Sequence, residues 1–311
     1  MMVLLLLGPQ LTAAVAGSPA DTGDNLPPAR RVVLFEAYEL AAALNAWDRI
    51  VGISTYAQDN DLLRRLLPNL KDIPAPGSGF VVNVEALLAL HTDLVVTWSR
   101  KPEMLEFLRR HGITVLGVYP ESIADLLQVL GQLGQVLDCE ARAQGVAGLI
   151  KDNLTAVQRC RQQRRPSAPA PRVVWLWGKP TTISGNRGVV ADLIRVAGGR
   201  NLGSHLDGLN CNISMEEMIA LNPEVVFIWG SASYGPEDLY QDPKWQSISA
   251  IKCQRGFKLP RQSTWSPRVV DLAWLMTSHL YPGMVKEEEI AAALDSFYGA
   301  LFGIPWPGEA R

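Results

Sequence analysis

DCEARAQGVAGLIKDNLTAVQRCRQQR, residues 138–164, is the stretch whose reading decides the fold. No proline interrupts it before Pro166. It ends in the basic cluster Arg159, Arg161, Arg164 and Arg165, where the negative end of a helix dipole favours cations. Asp138 suits the N-cap, because its carboxylate can accept from the unpaired amides of a first turn. One helix roughly 40 Å long is expected, about the width of a whole domain. The flanks explain the need for such a rod. VNVEALLALHTDLVVTW (residues 82–98) precedes it and ISMEEMIALNPEVVFIW (residues 213–229) follows it. At a fixed offset of 131 residues these agree at Glu85 and Glu216, Ala89 and Ala220, Leu90 and Leu221, Val95 and Val226, Trp98 and Trp229. Each copy reads as a short amphipathic helix, a tight connection and an apolar strand closed by Trp. The chain is expected to be two similar α/β lobes joined by a helical strut.

Length and composition fit that plan. A chain of 311 residues exceeds one typical core and suits two, and 48% hydrophobic residues can fill both. The expected organisation is an N-terminal lobe at 31–137, the strut at 138–165 and a C-terminal lobe at 172–302. Strands such as RVVL (31–34) and IVGI (50–53) are apolar without alternation and are separated by helical patterns. That predicts two Rossmann-like lobes with mainly parallel sheets covered on both faces. The net charge of −2, with both signs interspersed, leaves no electrostatic footprint for nucleic acid.

Residues 1–20 have a short apolar core followed by Ala14-Val15-Ala16, which reads as a signal peptide and implies export to the periplasm. No cysteine follows that core, and nothing later is long and apolar enough for a membrane span, so a soluble mature protein is expected. Cys139 and Cys160 lie too far apart on the strut to pair, whereas Cys211 and Cys253 share a lobe and could.

Several chemistries have no candidate residues. The four histidines show no metal-ligand spacing, and no phosphate-binding glycine loop or nucleophile elbow is present. No catalytic residue and no resident cofactor or metal are expected. What stands out is a set of aromatics at strand ends. Trp98, Trp177 and Trp229 each close an apolar strand, the side on which open parallel sheets bind ligands. Tyr38, Tyr56, Tyr119, Tyr234 and Trp265 fall in similar loops, with Arg100, Lys101, Lys179 and Arg268 nearby. Such a cleft suits a flat or bulky anionic molecule, by stacking and charge-assisted hydrogen bonds. Arg100 and Arg268 are the expected anion contacts from opposite lobes.

From about residue 31 to 282 the chain resembles the periplasmic substrate-binding proteins of ABC importers that carry iron–siderophores, haem and cobalamin. The resemblance rests on VVLFEAYELAAALNAWDRIVGI, NVEALLALHTDLVVTW, GGRNLG, ISMEEMIALNPEVVFIW, DPKWQSISAIK and TWSPRVVDLAWLMTSHLYP, in that order. It implies two lobes bridged by one long helix, substrate held between them, and little hinge motion. It also implies that Glu85 and Glu216 dock with arginines of a homodimeric permease. Thr92 stands where the first repeat of such proteins usually has proline. The resulting expectation is a receptor for a small-molecule metal chelate, an iron–siderophore first, with haem, a corrinoid or an oxyanion such as molybdate as alternatives. Two other classes are a chelatase-type enzyme, which lacks an inward histidine or paired carboxylates here, and a free-metal receptor, for which Glu36 with Tyr38 is the only seed.

Overall fold

The computed structural model describes residues 26–164 and 169–308. The signal-peptide expectation for residues 1–20, and the strut's last residue Arg165, lie outside the described residues. In the N-terminal lobe the order is β1 (Val32–Leu34), α1 (Tyr38–Leu44), β2 (Ile50–Ile53), α2 (Asp61–Leu66), α3 (Val84–Ala89), β3 (Leu94–Trp98), α4 (Pro102–Arg110), β4 (Thr114–Val118) and α5 (Ile123–Val136). The strut is α6 (Glu140–Arg164). Next come β5 (Arg172–Leu176), β6 (Thr182–Ser184), α7 (Val189–Val196), β7 (Arg200–Asn201), β8 (Asn210–Asn212), α8 (Met215–Leu221) and β9 (Val225–Ile228). The chain then runs through α9 (Pro236–Gln241), α10 (Ser249–Lys252), β10 (Gly256–Lys258), α11 (Val269–Leu280) and α12 (Glu287–Phe302).

The N-terminal sheet is fully parallel in the order β2-β1-β3-β4. The parallel part of the second sheet repeats that order as β7-β5-β9-β10. The second sheet is mixed, because β6 and β8 add antiparallel strands beyond the end of β5. Side chains alternate between two apolar faces, as strand geometry requires. Val32, Leu34, Val173, Trp175, Val225 and Phe227 all enter one core cluster, which also contains the strut's Ala143, Val146, Ile150, Leu154 and Val157. The two lobes therefore share a core through α6, while each keeps a separate apolar cluster on its outer face.

The strut starts differently from the sequence expectation. Asp138 is not an N-cap but sits in the left-handed region with φ 54°, and its carboxylate pairs with Arg49 at 3.0 Å. A left-handed residue turns the chain sharply between α5 and α6. The two helices then pack so closely that a Cβ on Gly134 would lie 2.5 Å from the Ala143 Cβ. Arg142 fastens the strut to the lobes, donating from Nε to the Ala43 carbonyl (3.0 Å) and from Nη2 to the Leu301 carbonyl (2.7 Å). Both acceptors lie at helix C-termini, where cations are favoured.

The repeat holds in detail. Asn83 and Ser214 cap α3 and α8 by accepting from the amides of Ala86 and Glu217. Leu87 and Met218 are fully buried at matched positions. His91 (φ 50°) and Asn222 (φ 42°) both leave the helix through the left-handed region. Asp93 and Glu224 then accept from the amides of Arg31 and Arg172, at the starts of β1 and β5.

Candidate functional site

The carboxyl ends of the two parallel sheets carry the predicted aromatics, and the structure gathers them into two groups. In the first, Phe80 meets Trp98 edge-on at 4.5 Å between centroids, and Trp98 meets Trp265 at 6.4 Å. Tyr119 meets the other side of Trp265 at 5.0 Å. This group crosses between lobes, since Trp265 precedes α11 while the other rings belong to the N-terminal lobe. Cations sit on its rings: the Arg100 guanidinium lies 4.2 Å from the Tyr119 centroid and Lys101 Nζ 4.0 Å from that of Phe80. In the second group Trp177 meets Trp229 at 5.7 Å and the buried Trp175 at 5.6 Å. Tyr38, Trp177, Trp229 and Trp265 are all half-buried and pack against the shared core cluster.

The indole N–H groups of Trp98 and Trp177 are buried and have no protein acceptor. A buried unpaired donor costs about 1–3 kcal/mol unless something accepts from it. Ala37, between Glu36 and Tyr38, has φ 60°, which for an alanine costs on the order of 1–3 kcal/mol. Local strain and unsatisfied donors thus collect at the same strand ends.

Other expected site residues behave differently. Tyr56 is exposed at 62% and Lys179 is also exposed, so both belong to the rim at most. The Tyr234 hydroxyl is committed to the backbone, donating to the Trp177 carbonyl at 2.6 Å, and burial holds the phenol protonated. Arg100 pairs with Glu121, whose other oxygen accepts from Arg187 Nη1 of the C-terminal lobe at 3.2 Å. Arg100 is nonetheless half exposed and keeps donors free for an anion.

Arg268 requires a correction. It was expected to grip a ligand anion, but it is one of the largest fully buried side chains. Its Nε and Nη2 donate to Glu39 at 2.9 and 2.6 Å, and Nη1 and Nη2 donate to Asp61 at 2.8 and 2.9 Å. Ser266 donates to the same Glu39 carboxylate. Burial works against the guanidinium charge, but Glu39 and Asp61 outweigh it and hold the group firmly ionised. Arg268 is thus a clasp between lobes, buried and with four of its five N–H donors committed to Glu39 and Asp61. Its partners lie more than 200 positions away in sequence, and no local signal could have revealed them.

Sequence reasoning also passed over Phe80 as a wall residue and considered Glu36 only as the seed, with Tyr38, of a free-metal site. The motif signal for Phe80 was the glycine-rich loop at 74–80, which brings it over Trp98. Among the described residues no group of three or more His, Cys, Asp or Glu could hold a metal ion, and all four cysteines are unpaired. No helix among those residues is long and apolar enough to cross a membrane. Glu85 and Glu216 are both exposed in the first turns of α3 and α8. Cavities of about 540 Å³ beside α3 and 490 Å³ between α11 and α12 lie apart from the aromatic groups.

Comparison with known proteins fits this architecture. The high-affinity haem uptake system protein IsdE of Staphylococcus aureus is 26% identical over 239 residues, covering 72% of this chain and 79% of that protein. The structure of CeuE from Helicobacter pylori with Ni(II) bound superposes with a TM-score of 0.80 at 27% identity, covering 91% of this chain and 93% of that one. MolA of Haemophilus influenzae, solved with molybdate, shares the fold with a TM-score of 0.76 at 18% identity, covering 93% and 99%. The family model described as periplasmic binding protein matches residues 32–262. With two parallel-sheet lobes, one bridging helix and that match over most of its length, the chain belongs to the periplasmic binding protein family.

Proposed function

We propose that this protein captures an anionic metal chelate of the iron–siderophore type between its lobes and delivers it to an ABC permease. The reading is carried by one observation: Trp98 and Trp177, one from each lobe, hold indole donors with no acceptor among the described residues, and cations lie on the aromatic rings grouped with Trp98. Aromatic faces stack on a flat or bulky chelate, and Arg100, Lys101 and Lys179 complement its charge. Lys179 and Tyr56 serve at the mouth, while Tyr38, Trp98, Trp177, Trp229, Tyr234 and Trp265 form the wall. Residues 1–20 direct export to the periplasm, where such a receptor meets its cargo.

The test is tryptophan fluorescence with a ferric tris-catechol complex, an anionic chelate. Quenching is expected, and replacing Trp98, Trp177, Trp229 or Trp265 by Ala should each weaken binding by roughly 1–3 kcal/mol. Unchanged affinity in all four variants overturns the cleft assignment. A second reading, haem as cargo, is favoured by the likeness to the haem uptake protein of Staphylococcus aureus. Haemin in the same titration separates the two.

The docking half of the proposal rests on Glu85 and Glu216, exposed at matched positions of the two lobes. A two-fold permease offering one arginine pocket to each lobe fits that pairing. Exposed rim charges set register and association rate more than fold stability. Replacing both with Arg should abolish uptake while ligand affinity persists. Normal uptake by the double variant removes the docking assignment.

A further inference from the structure

Glu36 follows β1 at the position that Trp177 occupies after β5, because Val33 pairs with Val95 as Val174 pairs with Val226. One lobe therefore ends its central strand in an indole and the other in a carboxyl. The Glu36 carboxyl lies near Gly79, Thr97 and Trp98: a Cβ built on Gly79 would be 3.7 Å from its Oε1, 3.7 Å from the Thr97 hydroxyl oxygen and 3.9 Å from the Trp98 ring. Among the described residues Glu36 forms no ion pair. The nearby cations are engaged elsewhere: Arg268 with Glu39 and Asp61, Arg100 with Glu121 and the Tyr119 ring, Lys101 with the Phe80 ring. The neighbouring donor, the Trp98 indole N–H, stops short of normal hydrogen-bond geometry. A half-buried carboxyl with no counterion and no well-formed hydrogen bond favours its uncharged form, which carries a proton to offer.

We propose that Glu36 is a specificity-determining contact, its uncharged carboxylic acid donating a hydrogen bond to an anionic oxygen of the bound chelate. This rests on the cleft reading above and names the feature of the cargo that the N-terminal lobe reads. Burial pushes the Glu36 carboxyl up to about 8, with the Trp98 indole partly opposing it. The groups facing it leave that state undisturbed. Burial, then Glu39 and Glu36 themselves, keep the Tyr38 phenol protonated, and the single charge of Arg268 leaves Glu39 and Asp61 with one net negative charge between them, a sign that does not favour a further carboxylate at Glu36. At neutral pH the cleft floor thus presents donors: Glu36, the Tyr38 hydroxyl and the Trp98 indole. Above about pH 8 the Glu36 proton is lost and a carboxylate faces the anion.

The experiment measures affinity of the whole chain for the ferric tris-catechol complex and for haemin between pH 6 and 9.5, by fluorescence quenching. Affinity of the unaltered protein should fall about tenfold per pH unit above pH 8, as the protonated fraction falls. Glu36→Gln keeps a neutral donor at every pH, so its profile should lose that fall. Glu36→Leu removes the donor and should weaken binding at pH 7 about tenfold. Identical profiles for the unaltered protein and Glu36→Gln, or undiminished binding by Glu36→Leu, overturn the proposal. If instead Glu36→Gln and Glu36→Leu both abolish binding of the metal chelate while metal-free ligand still binds, Glu36 ligates metal and the donor role is wrong. Carboxyl ¹³C NMR without ligand supplies an independent reading, and titration of Glu36 near 4.5 also overturns it. Binding that survives Trp98→Ala and Trp229→Ala, or absence of binding by either probe, defeats the cleft reading itself. Tryptophan-dependent binding with no Glu36 effect defeats this inference alone.

Discussion

The two lobes share a frame and differ in what they do with its ends. Matched caps at Asn83 and Ser214, matched left-handed exits at His91 and Asn222 and matched anchors at Asp93 and Glu224 reproduce the same helix–strand unit. Outside that unit the chemistry diverges. Glu36 stands against Trp177, and the turn closed by the Ser78 amide on the Val81 carbonyl (2.7 Å) stands against β8, which is pinned to β6. The lesson is that backbone devices fix the architecture, whereas residues beyond the strand ends are at liberty to specify a ligand.

The largest effect should come where the lobes are joined rather than where they are alike. Arg268→Met leaves the Glu39 carboxylate buried without a counterion, and removing one partner of such a pair typically costs about 3–5 kcal/mol. Urea unfolding should show that loss, and a change below about 1 kcal/mol would mean the clasp contributes little. Next, Leu87→Ala and Met218→Ala remove equivalent fully buried side chains, each at a cost of about 2–5 kcal/mol. Costs that agree within about 1 kcal/mol extend the equivalence of the lobes from geometry to energy, and a wide gap breaks it.

A third test exploits the mismatch between Glu36 and Trp177. With its carboxyl raised from 4.5 to about 8, the folded chain holds a proton that the unfolded chain has released between those values. Stability therefore falls as pH rises through that window and stays low above it. Glu36→Gln should be more stable than the parent at pH 9, by on the order of 2–3 kcal/mol, with the gain shrinking toward pH 5. Equal gains at both pH values would show that the carboxyl is not desolvated. Asp271, buried and raised to about 7, adds its own decline in both proteins and so cancels from the comparison. The smallest effect concerns the glutamates proposed for docking. Glu85 is the lone carboxylate in the first turn of α3, while α8 has Glu216 and also Glu217, which completes a capping box. Glu85→Arg should thus cost up to about 1 kcal/mol and Glu216→Arg less, read from melting temperatures. The reverse order would argue against the dipole account.

Patterns repeated within a few helical turns were legible in the sequence. The strut's proline-free run with its basic end and the two helix–strand units had local signals to announce them. The strut's first residues were misread because an N-cap aspartate and a left-handed aspartate look alike without coordinates. The short polar strands TIS and NCN carry no apolar pattern, so the mixed edge of the second sheet was invisible. In α12, Ile290, Leu294, Phe297, Tyr298 and Leu301 did offer a helical period that a closer reading could have used. At the site, the strand-end tryptophans were legible from position alone. Arg268 and Glu36 were not, since what separates a clasp from a contact is whether a distant partner has already claimed the charge.

The core shared through α6 bears on how cargo moves. Separating the lobes would expose Val146, Ile150 and Val157 to water along with the strand residues that cover them, so spontaneous gaping is costly. In the proposed function, capture then needs no closing step, and its speed would be set by diffusion, charge steering and the turning of aromatic rings. Departure cannot borrow from thermal opening either. In the proposed function unloading is then mechanical work done from outside, and a partner docked at both Glu85 and Glu216, as proposed, would have the geometry to apply it.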